Sequence, residues 1–361
     1  MIVDRRLLPY LDWPLLGAVV ALCVVGLLVL ASVSQGEREF WTQLYALPVG
    51  LAALAVCVMV DYRTLSERSL VLYALLILSL IAVWQFGVVR GGARRWIVVA
   101  GVSLQPSEFA RLVLALVLAA FYGESRRSAQ AMGPVAGGAL LLGIPALLIY
   151  RQPDLGTAAT LVPVYAGVVF LAGLRLRWIA VAALVGLLLS PVVWRYGLEE
   201  YQRTRIETFL DPASDPRGAG YQQIQAKVTV GSGGLLGKGF GAGTQSGYGF
   251  MPEAHNDFVF SSFAEQFGFV GVLVVLGLYL FVLVRSVDAA RLAADRVGAF
   301  LVIGIVSGFG FQVLYNISMS AGFAPVKGLT LPLMSYGGSS LVATLAGFGL
   351  ILNVRMRRFN N

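Results

Sequence analysis

The chain has 361 residues, of which 58% are hydrophobic and 13% charged, and its mean hydropathy is +0.78. A soluble domain carries about 25% charged residues, so this composition excludes a soluble helical core and predicts an integral membrane protein. The formal charge of +8 does not call for nucleic acid, because arginines facing anionic lipid on inner connections account for much of it.

A window of roughly 20 apolar residues crosses a bilayer. Ten such windows follow one another: Pro14–Ser34, Leu44–Val60, Ser69–Val88, Ser107–Tyr122, Gly133–Tyr150, Gly156–Gly173, Trp178–Tyr196, Asp257–Val284, Val297–Ser320 and Gly338–Val354. The predicted fold class is therefore an all-α polytopic membrane protein with ten transmembrane helices, forming one integral membrane domain over 1–361. With the N-terminus inside, fourteen of the 27 Lys and Arg residues fall on the inner connections and six on the short outer ones. The positive-inside rule then predicts a multi-pass protein of the cell inner (cytoplasmic) membrane with both termini cytoplasmic. Arg5-Arg6 before the first window resembles a signal peptide, but the window is too long and others follow, so an uncleaved first helix is expected. Cys23 and Cys57 lie inside apolar windows, which argues against zinc, a redox pair or a disulfide and for packing.

The first three windows have no ionisable residue in their middles and read as scaffold. After them, residues 90–106 carry Arg94, Arg95 and Trp96, and the apolar piece Trp96–Leu104 is too short to cross. A re-entrant or interfacial segment is expected. Pro106 and Ser107 start a helix in which Glu108 and Arg111, three apart, share one face. Offsetting the macrodipole is one account of that acid. A charge pair entering a membrane helix also points to a wet cavity. At Arg151-Gln-Pro-Asp-Leu-Gly-Thr157, Pro153 stops one helix and Asp154 suits the cap of the next.

The extracytoplasmic connection 197–256, between the seventh and eighth windows, is too long for a plain loop. Helical spacing predicts a surface helix over 199–210, with Tyr201, Ile206 and Phe209 on one face, and a second over 221–230. Glycines then crowd from Gly231 to Gly249 around Lys238. Such a loop suits backbone N–H groups approaching a phosphate, yet Gly239 stands where a Walker A needs Ser or Thr, and a flexible linker explains the glycines as well. Met251-Pro-Glu-Ala-His-Asn-Asp257 ends the loop with the only histidine, His255, and two acids at a water–hydrocarbon boundary. Asn256 or Asp257 suits an N-cap, but Glu265 on the same helical face as Asp257 favours a water-accessible groove. Lastly, two prolines and Tyr336-Gly-Gly-Ser-Ser340 precede the tenth window. That turn suits an anion at a helix start, with close packing by small residues as the competing account.

Several stretches together resemble the SEDS family (shape, elongation, division and sporulation), over nearly all of the chain. They are Arg95-Trp96 with Gln105-Pro-Ser-Glu108, Gln152-Pro-Asp-Leu-Gly156, Gly233-Gly-Leu-Leu-Gly-Lys-Gly239 with Gly243-Thr-Gln-Ser246, Pro252-Glu-Ala-His-Asn-Asp-Phe258, and Ala324 through Ser340. Short tails favour the elongation member over the division member. The resemblance implies a peptidoglycan glycosyltransferase that polymerises lipid II, the undecaprenyl-pyrophosphate-linked disaccharide pentapeptide, outside the cytoplasmic membrane. It implies a class B penicillin-binding protein transpeptidase as partner and no organic cofactor. The acid aligned with Asp257 is then the catalytic carboxylate, and Glu108 and Arg111 line its cavity. Two positions depart from the family: Arg111 stands where Lys is usual, and Gln266 where a second acid is usual.

Attack by a sugar hydroxyl needs a base, for which Asp257 is the candidate. Departure of pyrophosphate needs positive charge, from Arg94, Arg95, Arg111, Lys238, Lys327, the Tyr336–Ser340 turn or a divalent cation (magnesium or manganese). Candidate substrate contacts are thus Arg94, Arg95, Trp96, Lys238, Gln245, Ser246, His255, Lys327, Ser335, Tyr336 and Ser340, with no protein metal site assigned. A lipid II flippase is the alternative, since many spans, polar cavities and broken helices suit a transporter too. A purely structural anchor is a third class.

Overall fold

The computed structural model describes residues 9–34, 38–90, 93–99, 102–123, 131–198, 200–216, 218–247, 249–251 and 253–359. Both termini, Arg126 and Arg127, and Pro252 of the Asp257 motif lie outside them. Helices occupy all ten predicted places: α1 (Trp13–Val33), α2 (Arg38–Met59), then after a short α3 (Tyr62–Glu67) α4 (Ser69–Phe86), α5 (Ala110–Gly123), α6 (Met132–Tyr150), α7 (Leu155–Leu171) and α8 (Leu176–Val192). The connection 197–256 holds α9 (Glu200–Leu210), α10 (Ala219–Ser232) and a single turn α11 (Thr244–Gly247), followed by α12 (Val259–Arg291), α13 (Arg296–Ser320) and α14 (Gly338–Met356). Among the described residues, eight helices are long and apolar enough to cross a membrane; α7 and α8 coincide with the other two predicted spans but are 17 residues each. The protein is a multi-pass membrane protein.

Aspartates mark helix starts as their capping chemistry dictates. Asp12 accepts from Leu15 N–H at α1, Asp154 from Thr157 N–H at α7 and Asp295 from Gly298 N–H at α13. The centre is built by α13 and α14, whose small residues let neighbours close in. A Cβ at Gly304 would stand 2.9 Å from Ala115 of α5, one at Gly308 2.8 Å from Val164 of α7, and one at Gly349 2.5 Å from the Leu54 carbonyl of α2. In contrast, α8 exposes Leu184, Leu187, Leu188 and Val192. Cys23 is buried and Cys57 half-buried, both free, as packing residues would be.

Two segments took shapes that hydropathy did not specify. Three strands, β1 (Val88–Arg90), β2 (Ala93–Val99) and β3 (Val102–Leu104), form an antiparallel sheet, pairing Val88 with Trp96 and Ile97 with Leu104. A 3₁₀ turn, Pro106–Phe109, then feeds α5. The second is α12, which breaks at Gly268 (φ 64°, ψ −167°), so that Val259–Phe267 is a half-helix set on top of the longer remainder.

Candidate active site

Asp257 ends the long loop two residues before α12. Its main-chain carbonyl accepts from Asn316 Nδ2 at 2.8 Å, and the same amide donates to Leu329 O at 2.6 Å. One side chain of α13 thereby ties the start of α12 to the irregular 324–331 segment. The carboxylate lies against Gly328, where an added Cβ would be 3.4 Å from Oδ2. Half-buried, and without a side-chain hydrogen bond among the described residues, the Asp257 carboxyl is pushed up to about 7 by burial, with Glu253 adding to the rise. Arg205 and Arg95 pull the other way, and Asp154 again raises it.

Beside it opens a cavity of about 140 Å³ lined by Arg95, Asp154, Gln202, Arg205 and Lys327, with Pro153, Leu155, Gly156, Leu198, Ile206 and Pro325 as its apolar wall. The polar groups come from four places in the chain: β2 (Arg95), the start of α7 (Asp154), α9 (Gln202 and Arg205) and the segment before α14 (Lys327). Arg95 of β2 donates to the carbonyls of Gln152 (3.3 Å) and Pro153 and approaches Asp154 Oδ2 at 3.7 Å. Asp154 also receives Thr157 Oγ1 at 2.9 Å and Gln105 Nε2 at 3.3 Å, so its cap role and its place in the cavity coincide. Arg205 of α9 donates to Val326 O at 3.1 Å, which holds the surface helix over the 324–331 segment. Burial, with the nearby Arg205, lowers the Lys327 ammonium below its ordinary range. Three cations facing one fully engaged acid make a chamber suited to an anion.

The predicted residues divide. Asp257, Arg95 and Lys327 come together here. Arg94 points back to the end of α4, donating to Trp84 O and Gln85 O at 3.3 Å each, and Trp96 stays in the sheet. His255 lies beside Asp257 in sequence and sets its ring edge on Tyr336, whose N–H donates to His255 O at 3.0 Å. Ser335 Oγ accepts from Leu331 N–H and its carbonyl from Gln43 Nε2, while Gln43 Oε1 accepts from Gly337 N–H. The Tyr336–Ser340 turn is thus tied to α2 and does not line the cavity; Ser340 Oγ is buried without a hydrogen-bond partner among the described residues.

Glu108 and Arg111 form the expected pair at 2.8 Å, with side chains 12% exposed each. They line a separate pocket of about 30 Å³ with Leu112, Ile305, Phe309 and Phe348, and share no lining residue with the cavity beside Asp257. Their connection runs through Gln105, which donates to Asp154 from its side chain and to Ser339 Oγ from its backbone. The glycine loop also differs from the expectation that its N–H groups meet a phosphate. Lys238 Nζ (2.7 Å), the N–H groups of Thr244, Gln245 and Ser246 (2.9, 2.9 and 3.1 Å) and Ser246 Oγ (2.9 Å) all converge on Glu265, whose side chain is fully buried. Glu265 is the loop's own anion, not a second acid of an open groove.

Sequence reading missed Arg205 and Gln202. The signal was available: they stand three apart on the predicted surface helix, interleaved with the apolar face of Tyr201, Ile206 and Phe209 that drew attention, and Ile206 lines the same cavity. A donor set for a protein-held divalent ion does not emerge, since among the described residues no three His, Cys, Asp or Glu side chains cluster, and Asp154 spends its oxygens on Thr157, Gln105 and Arg95.

The family model FTSW_RODA_SPOVE, described as "Cell cycle protein", matches residues 8–360. The chain is 37% identical over 350 residues to the peptidoglycan glycosyltransferase MrdB of Escherichia coli K12, covering 97% of this chain and 94% of that protein. It is 36% identical over 363 residues to a probable peptidoglycan glycosyltransferase FtsW of Geobacter metallireducens, covering 96% and 95%. Among solved structures, a chain of a peptidoglycan synthase complex that coordinates polymerization and crosslinking superposes with a TM-score of 0.86 at 36% identity, covering 97% and 99%. The rod shape determining protein RodA of Thermus thermophilus gives 0.74 at 33%, covering 97% and 98%. The chain therefore belongs to the FtsW/RodA/SpoVE family of cell cycle proteins, the SEDS family whose motifs it carries.

Proposed function

We propose that this chain is a peptidoglycan glycosyltransferase that polymerises lipid II at the outer face of the cytoplasmic membrane during elongation, paired with a class B penicillin-binding protein. One observation carries this reading: a carboxylate without a side-chain hydrogen bond among the described residues, raised by burial to about 7, lies within electrostatic reach of Arg95 and Arg205, which line a cavity with Lys327. The hydroxyl oxygen of one lipid-linked disaccharide attacks the anomeric carbon of another. Its proton passes to Asp257, the bond from the anomeric carbon to phosphate oxygen breaks, and the electron pair leaves with the pyrophosphate. A base titrating near the working pH transfers protons most effectively, and burial puts Asp257 there. Arg95, Arg205 and Lys327 face the charge that develops on the leaving phosphate. We assign any divalent ion to the pyrophosphate oxygens rather than to a protein cage. Glu108 and Arg111 act at a distance, holding the turn that carries Gln105 to Asp154.

The test is strand formation by purified protein with its partner in detergent, given lipid II. Asp257→Asn is expected to lower the rate by about 10²–10⁴-fold, the range for removing a general base. Lys327→Ala or Arg205→Ala is expected to lower kcat/KM by about 10²-fold, as for loss of one group stabilising a developing anion. Polymer at the normal rate from Asp257→Asn overturns the base assignment. No polymer from the wild type, with lipid movement across vesicles instead, would favour a flippase.

A further inference from the structure

The break in α12 is filled by another part of the chain. At Gly268 the helix loses its internal bonds, and residues 234–239 of the glycine loop take them over. Phe269 N–H donates to Gly234 O (2.9 Å) and Val270 N–H to Leu235 O (3.1 Å), while Lys238 N–H donates to Glu265 O and Gly239 N–H to Gln266 O, each at 3.0 Å. The two backbones touch: a Cβ at Gly268 would lie 2.2 Å from Gly237 N, and one at Gly237 2.2 Å from Gln266 O. Leu235 and Leu236, at the tip, point away from protein and are 72% and 80% exposed, next to Phe269 and Val270 at 54% and 51%.

The depth of this junction follows from the helix. Arg285 is held by Asp12, the cap of α1, which places it at the opposite membrane boundary. From Arg285 to Phe269 is sixteen residues of helix, or about 24 Å at 1.5 Å each. A hydrocarbon core is about 30 Å thick, so Phe269 and the leucines beside it lie below the polar surface on the Asp257 side. Backbone at that depth is tolerated when its N–H and C=O groups are paired within the protein, and the exchange with α12 pairs the carbonyls of Gly234 and Leu235 and the N–H groups of Lys238 and Gly239. The charges at the loop's base are neutralised internally, because Lys238 is spent on Glu265 and Thr244.

We propose that Gly233–Gly239 is a re-entrant hook whose Leu235-Leu236 tip is embedded among the acyl chains of the leaflet on the Asp257 side. The hook anchors the half-helix that starts just after Asp257. Its partner is the bilayer itself, and the inference is independent of the reaction assigned to Asp257.

The experiment places a nitroxide at Leu236→Cys, and separately at Leu235→Cys, in full-length protein carrying Cys23→Ala and Cys57→Ala, in phosphatidylcholine nanodiscs. Collision with oxygen, which partitions into lipid, is compared with collision with a water-soluble nickel chelate. Leu280→Cys on the exposed flank of α12 is the lipid reference and Ser214→Cys the water reference. Both hook positions are expected to match Leu280→Cys, with oxygen favoured severalfold over the chelate. If either folded variant matches Ser214→Cys, the hook is in water and the proposal fails. Should the spin-labelled protein not fold, an uncharged environment-sensitive fluorophore attached at the same cysteines replaces it. A blue-shifted emission quenched by brominated acyl chains supports the proposal, and quenching by iodide overturns it.

Discussion

The Asp257 carboxyl is raised because folding takes it out of water beside Glu253, and this has opposite consequences for activity and stability. In its proposed role as base it works only when ionised, so polymerisation is expected to fall as pH drops through about 7, in a pH–rate profile of the wild type. For stability the sign is reversed. The folded-state value lies above the unfolded one, near 3.9, so the folded protein binds the extra proton and loses stability as pH rises from about 4 to about 7. Asp257→Asn removes that penalty: its Tm is expected to exceed the wild type's at pH 8 and to equal it below pH 4. A Tm gain that did not depend on pH would refute the burial account. Asp257 was legible in sequence because an acid ending a polar loop before an apolar run is rare. Lys238 was misread for the same reason. Its loop has the composition of a phosphate cradle, and only folding revealed that the anion is Glu265. Lys238→Ala leaves that buried carboxylate without its cation, and removing one partner of a buried pair costs about 3–5 kcal/mol. With the backbone donors remaining, the lower end is expected in a denaturation midpoint.

At the scale of elements, most span bounds were read to within four residues, the start of α2 and the end of α12 missing by six and seven, since hydropathy is a local property. The internal break of α12 was not, because Phe258–Val284 is apolar on both sides of it and Gly268 looks like one of many small membrane residues. What makes it a break is a distant loop whose carbonyls accept the freed N–H groups. Gly268 sits where φ is positive and ψ near 180°, a region open almost only to glycine at a cost of about 1–3 kcal/mol for other residues. Gly268→Ala also drives a Cβ into Gly237. It is expected to free the 233–239 loop, read as faster proteolytic nicking there and a lower Tm. The sheet over 88–104 escaped in the same way: the short apolar piece fixed only that it could not cross, and strand pairing is a choice between neighbours.

Across the whole molecule, three distant chain ends meet at Asp12. Its carboxylate caps α1, takes Arg285 of α12 at 2.9 Å and Arg355 of α14 at 2.7 Å, and its side chain is fully buried. Asp12→Asn keeps the shape and the cap but leaves two cations facing each other. It is expected to cost several kcal/mol, on the scale of about 3–5 for breaking a buried pair, in denaturant titration of the detergent-solubilised protein. The sequence alone determined that the chain is a bundle of apolar helices and which connections carry the arginines, and it named Asp257, Arg95 and Lys327 as candidates for its chemistry. Those properties depend on what each residue is and on its near neighbours. Tertiary structure alone decided that Arg205 and Gln202 line a cavity with Arg95 and Lys327, that Glu108 and Arg111 occupy a chamber of their own, and that Lys238 serves Glu265. A charge takes the partner that folding brings within about 4 Å, and that distance is not encoded in spacing along the chain.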